Sequence, residues 1–105
     1  MKSTVEPSEQ ELQQFLKEPE SWKLTNNKLV KNYAFKDFKA AFSFMTQLAA
    51  VAEEMNHHPT WENSYNKVSL QLFTHHTGGI TEGDLELARA ADKIASKLTH
   101  TYVKL

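Results

Sequence analysis

The chain has 105 residues, 40% of them apolar and 24% charged, with a formal net charge of -1. That is the composition of one ordinary globular domain, residues 1–105, and no basic stretch supplies the phosphate-neutralising surface that nucleic-acid binding requires. Cysteine is absent, which excludes disulfides, thiolate metal ligands and a cysteine nucleophile; without an apolar signal core or a run near the roughly 20 residues of a membrane span, the expected location is the cytoplasm, with no membrane partner.

Ser8 and Glu11 have the spacing of a capping box, and Leu12, Phe15 and Leu16 follow at helical intervals, so a short helix is expected to about Pro19. Trp22 and Leu24 then lead to Asn26-Asn27, residues that tolerate positive φ. Beyond them Leu29, Lys31, Tyr33 and Phe35 alternate with Val30, Asn32 and Ala34, the pattern of a β-hairpin. Asp37 is a good N-cap for the longest helix, in which Phe38, Phe42, Met45, Leu48, Ala49, Ala52 and Met55 recur every three or four residues. Asn56 suits its left-handed end, and Pro59 prevents continuation while biasing His58 toward an extended backbone.

Residues 61–65, a turn at Asn66-Lys67 and residues 68–74 predict a second hairpin. In its last strand Val68, Leu70 and Leu72 share one face, and Ser69, Gln71, Phe73 and His75 the other. After a Gly78-Gly79 loop, Thr81 and Asp84 open a last helix carrying Leu85, Ala88, Ala91, Ile94, Ala95 and Leu98. The expected fold is an α+β two-layer sandwich of order αββαββα, with a four-stranded antiparallel sheet and helices packed on one face. On the other face, apolar members such as Phe73 would stand exposed in a monomer, so a homo-oligomer is expected.

Four of the five histidines form doublets, His57-His58 at the end of the main helix and His75-His76 at the end of the last strand. Such ends can converge, and an imidazole, with an ordinary pKa near 6.5, gives or accepts a proton readily near neutrality. Zinc binding is disfavoured: adjacent residues of an extended segment point in opposite directions, and no HExxH or His-x-His spacing is present. No G-x-S-x-G turn or phosphate loop appears either. The residues by themselves therefore describe a small α+β domain whose histidines can do acid–base chemistry.

Glu53-x-x-x-His57-His58-Pro59, then Trp61, Tyr65-Asn66-Lys67-Val68, Thr74-His75 and Asp84 resemble the signature of the pterin-4a-carbinolamine dehydratases, a likeness running from about Trp22 to Ile94. The resemblance implies an enzyme without metal or cofactor. It would dehydrate 4a-hydroxytetrahydropterin to the quinonoid dihydropterin and so be linked functionally to a pterin-dependent aromatic amino acid hydroxylase. It implies His57, His58 and His75 as the catalytic positions, His75 and His57 being the leading pair. The substrate-binding expectation covers Glu53, Pro59, Trp61, Thr74, His76, Thr77 and Asp84, with Trp61 as a wall and the two acids orienting a histidine or binding the ring. It further implies a homodimer or homotetramer. His76 departs from the acidic or small residue common at its position, and His100 reads as surface. Some members of this family bind proteins, as transcriptional coactivators or assembly factors, and that is the competing expectation.

Overall fold

A computed structural model describes residues 5–17 and 22–101, with side chains as far as Leu98. The elements are α1 (Glu9–Leu16), β1 (Lys23–Thr25), β2 (Lys28–Ala34), α2 (Phe38–Met55), β3 (Thr60–Ser64), β4 (Lys67–Leu72) and α3 (Glu82–Thr101). The order is αββαββα, an α+β sandwich built on one four-stranded antiparallel sheet arranged β1-β2-β4-β3.

The helices start where polar side chains meet orphan backbone donors. Ser8 accepts from the Glu11 amide at 3.0 Å and Asp37 from the Ala40 amide at 2.9 Å. Helix α1 stops at Leu16, one turn before Pro19, a residue outside those described. Helix α2 closes with a left-handed Asn56, φ 55° and ψ 45°. The His57 amide returns to Ala52 O and the Asn56 amide to Glu53 O, the paired bonds of a Schellman motif. His57 is thereby redirected from the helix axis.

The first hairpin turns on Asn26 and Asn27, both at positive φ. The second turns one residue earlier than its sequence suggests: Tyr65 and Asn66 form the turn, Tyr65 at φ 52°, and Lys67 already pairs with Ser64. Asn66 is committed elsewhere, since its carbonyl accepts from the Phe35 amide and its side-chain amide donates to Phe35 O, both at 2.8 Å. Strand β4 ends at Leu72, before Thr74, which instead forms an isolated bridge with Gly79.

One face of the sheet supplies Leu29, Tyr33, Val68, Leu70 and Leu72 to the core, which Phe44, Leu48 and Ala52 of α2 and Leu85, Ala88 and Ala91 of α3 complete. On the other face Phe73 is half-buried rather than open, packed beside His75 and Lys28. Burial of apolar side chains at this density is the main stabilising term. Among the described residues no helix is long and apolar enough to cross a membrane.

A second tie joins sheet to helices. Asp92 on α3 accepts from Trp22 Nε1 at 3.2 Å and Lys31 Nζ at 2.9 Å, and also from the Tyr33 hydroxyl. Burial, reinforced by the Asp92 carboxylate, pushes the Tyr33 hydroxyl well above the ordinary tyrosine range.

Candidate active site

The two histidine doublets meet. A cleft of about 330 Å³ lies between the end of α2 and the segment following β4, lined by Asn56, His57, His58, Phe73, Thr74, His75 and His76. Each doublet reaches it by a local device. On one side the Schellman turn swings His57 toward the start of α3. On the other, Thr74 to Gly79 forms a tight loop in which the Thr77 and Gly78 amides both return to Thr74 O. Gly78 sits at φ 78°, a conformation that favours glycine. Asn27, in the first hairpin turn, fixes this loop from outside by donating to Gly78 O at 3.0 Å.

His57 is the buried member, 8% exposed, and Asp84 behind it is fully buried. Nε2 of His57 lies 2.8 Å from Asp84 Oδ1. The other carboxylate oxygen accepts from the Thr74 hydroxyl at 2.7 Å and the Thr81 amide at 2.9 Å, and the two threonine hydroxyls are 2.9 Å apart. A buried carboxylate is tolerated only when its lone pairs are filled in this way. An ionised carboxylate can only accept, so Nε2 carries the hydrogen, and whenever the imidazole is neutral its lone pair is on Nδ1. Among the described residues no buried side-chain nitrogen or oxygen lacks a partner. Nδ1, which has no partner among the described residues, is therefore the nitrogen accessible from outside.

His58 is held differently. Its Nε2 lies 2.7 Å from Glu53 Oε2 across the last turn of α2, and both side chains are largely exposed. An exposed pair of this kind contributes little stability but restricts where the ring points. His75 and His76 are exposed in the cleft, and among the described residues His75 has no hydrogen-bond partner.

The structure brings His57, His58, Thr74, His75 and His76 to the cleft, and sets Glu53 and Asp84 behind two of the histidines. Thr74, expected to contact substrate, is buried with its hydroxyl turned to Asp84. Pro59 is half-buried just beyond His58, and Thr77 bonds back to Thr74 O; neither lines the cleft. Trp61 does not form the wall. It pairs with Leu70 and packs against the core, because that position of β3 points to the helix side of the sheet. The aromatic side chain in the cleft is Phe73, whose place beside His75 was visible in the strand alternation but whose role was not. Among the described residues no group of three or more His, Cys, Asp or Glu side chains is arranged to hold a metal ion.

Fold and site together define the class, a two-layer α+β protein whose cleft presents imidazoles as its titratable groups. The chain belongs to the pterin 4 alpha carbinolamine dehydratase family, matching that family's profile over residues 6–94. It is 47% identical to a Solibacter usitatus protein provisionally named pterin-4-alpha-carbinolamine dehydratase, over 89% of this chain and 98% of that one. A Bradyrhizobium diazoefficiens protein with the same provisional name is 56% identical over 66% of this chain and 68% of its own. In three dimensions the chain is similar to a transcriptional coactivator/pterin dehydratase from Brucella melitensis, with TM-score 0.79 and 38% identity, covering 86% of this chain and 98% of that structure. A pterin dehydratase-like protein identified as a RuBisCO assembly factor in the alpha-carboxysome shares the fold, with TM-score 0.60 and 24% identity over 75% of this chain and 92% of its own.

Proposed function

We propose that this protein dehydrates a 4a-hydroxytetrahydropterin to the quinonoid dihydropterin, with His57 and His75 as the proton-transfer pair and His58 assisting. The observation that carries the proposal is the convergence of His57 and His75 on one cleft, with His57 oriented by the buried Asp84. In the reaction the C4a–O bond breaks as the hydroxyl takes up a proton and leaves as water. The N5 proton is removed and the C4a=N5 double bond forms. His57, with its lone pair on Nδ1, accepts the N5 proton, and His75 delivers the proton to the leaving hydroxyl; after turnover the two exchange through solvent. Such paired general acid–base catalysis contributes typically 10²–10⁴-fold per group and asks for no cofactor.

The aminopyrimidinone edge of the pterin is recognised at the polar rim of the cleft, in the reach of His58, Glu53 and His76. The product returns to a pterin-dependent aromatic amino acid hydroxylase, and the protein works in the cytoplasm as a homodimer or homotetramer. A hydroxylase-coupled assay tests this: decay of the 4a-carbinolamine absorbance is faster with the protein, and His57→Ala and His75→Ala each remove most of the acceleration. Decay at the uncatalysed rate with folded protein would overturn it.

A protein-binding role is the second reading. It is supported by Phe38 and Phe42 on α2, 47% and 57% exposed with ring centroids 5.9 Å apart, and by likeness to a protein described as a coactivator. Intact dehydratase activity in a variant with both phenylalanines replaced by serine, combined with loss of binding to a partner protein, would separate the two roles.

A further inference from the structure

The histidines of the cleft are not equally restrained. His57 is tied to Asp84 and His58 to Glu53, whereas His75 is exposed and has no hydrogen bond among the described residues. Its ring packs against Phe73. The two ring centroids are 4.9 Å apart with the planes at 89°, the edge-to-face geometry that aromatic pairs prefer. Phe73 is in turn held by Lys28, whose ammonium lies 5.6 Å from the ring centroid. That contact follows from the sheet. Leu29 pairs with Leu72, so Lys28 and Phe73 are the next residues out on neighbouring strands and share the face away from the helices.

We infer that Phe73 is a positioning residue, holding the otherwise unrestrained His75 imidazole at the cleft by edge-to-face packing. An exposed imidazole divides its time among rotamers, and packing on Phe73 favours the one that lines the cleft. One aromatic pair is enough to enrich that orientation about two- to tenfold. Aliphatic side chains of similar bulk keep the apolar surface but not the ring-edge attraction. Phe73 lies outside the buried core cluster, so replacing it leaves the fold's main support in place.

The geometric part of this inference stands without any assumption about activity, while its kinetic part rests on the dehydratase reading. The test is therefore run in two arms on the full chain. In the first, the His75 ring resonances are recorded by NMR in the free protein, in Phe73→Leu and in Phe73→Tyr. The χ1 couplings of His75 recorded with them show one dominant rotamer in the wild type and in the tyrosine variant and averaging among rotamers in the leucine variant, a change that loss of the aromatic ring current alone does not produce. In the second arm, Phe73→Leu lowers kcat about two- to tenfold with less effect on KM, Phe73→Tyr restores it, and in a His75→Ala background Phe73→Leu has no further effect. A single His75 rotamer retained in Phe73→Leu would overturn the inference. So would an equal loss in the His75→Ala background, or wild-type kcat in the leucine variant. If the wild-type protein proves inactive, the dehydratase reading falls, and the NMR arm alone decides whether Phe73 positions His75.

Discussion

Replacing Asp84 by asparagine changes no shape and leaves one acceptor where there were two. The Thr81 amide can only donate, and so can the Thr74 hydroxyl toward this oxygen, so the asparagine oxygen has to take the side that Oδ2 occupies, 2.9 Å and 2.7 Å from those donors. Its NH₂ group then faces His57 Nε2 at the 2.8 Å contact. Two donors cannot meet, so His57 moves its hydrogen to Nδ1 and presents the wrong nitrogen to the cleft. The three short bonds to the carboxylate become bonds to a neutral amide, each weaker by about 1 kcal/mol, for a loss of about 2–3 kcal/mol and a fall in Tm of about 10–20 °C. Turnover in the coupled assay falls by about 10²–10⁴-fold, the range expected when a general base is held in the wrong tautomer. Two-bond ¹H–¹⁵N correlation spectra of the folded variant report the tautomer directly. A His57 that still carries its hydrogen on Nε2 would refute the reasoning about Asp84, and a tautomer that flips with turnover unchanged would remove His57 from the mechanism.

Three further outcomes follow from the same contacts. Thr74→Val takes away the hydroxyl that donates to Asp84 and partners Thr81; urea denaturation is expected to show a loss of about 2 kcal/mol, most of it recovered in Thr74→Ser, and an equally stable valine variant would show that the bond contributes nothing net. Asn56→Ala is expected to lose about 1 kcal/mol, because alanine pays the left-handed penalty at φ 55° that glycine escapes, so Asn56→Gly should stay within a few tenths. Tyr33 is an acid whose folded pKa lies above its unfolded value, so the folded state retains a proton that the unfolded chain gives up. Its contribution is complete below about pH 10 and declines above it, by at most about 1.4 kcal/mol per pH unit. The slope of stability against pH in that alkaline range should be shallower in Tyr33→Phe, and identical slopes would contradict the burial of the hydroxyl.

Much of this architecture is legible in the sequence because it is set by local chemistry. The three-and-four periodicity of α2, the caps at Ser8, Asp37 and Asn56, and the asparagine pair of the first hairpin each act within a few residues. What escapes is set at a distance. Tyr65 takes a left-handed turn position that a bulky residue ordinarily resists, because Asn66 is already bonded twice to Phe35 across the sheet. Trp61, expected as a wall of the site, faces the helix layer instead, because its pairing with Leu70 of β4 sets the parity of its position in the pleat. Asp84 is readable as a helix-start residue, but its second oxygen meets a histidine 27 positions away. Asp92 looks like any polar residue on a helix, and its three donors come from 59 to 70 positions earlier in the chain.

Because one carboxylate both begins α3 and aims His57, occupancy of the cleft and order at the start of that helix are thermodynamically linked. Whatever binds His57 more tightly when its ring is aimed must also favour the closed state of the Thr81 to Leu85 turn, and by the same free energy. A bound ligand would therefore slow amide hydrogen exchange at Thr81 and in the first turn of α3, although those amides never touch it. In the opposite direction, a substitution that loosens this turn weakens ligand binding from behind the site. The helix start thus serves as an internal reporter of what the cleft holds.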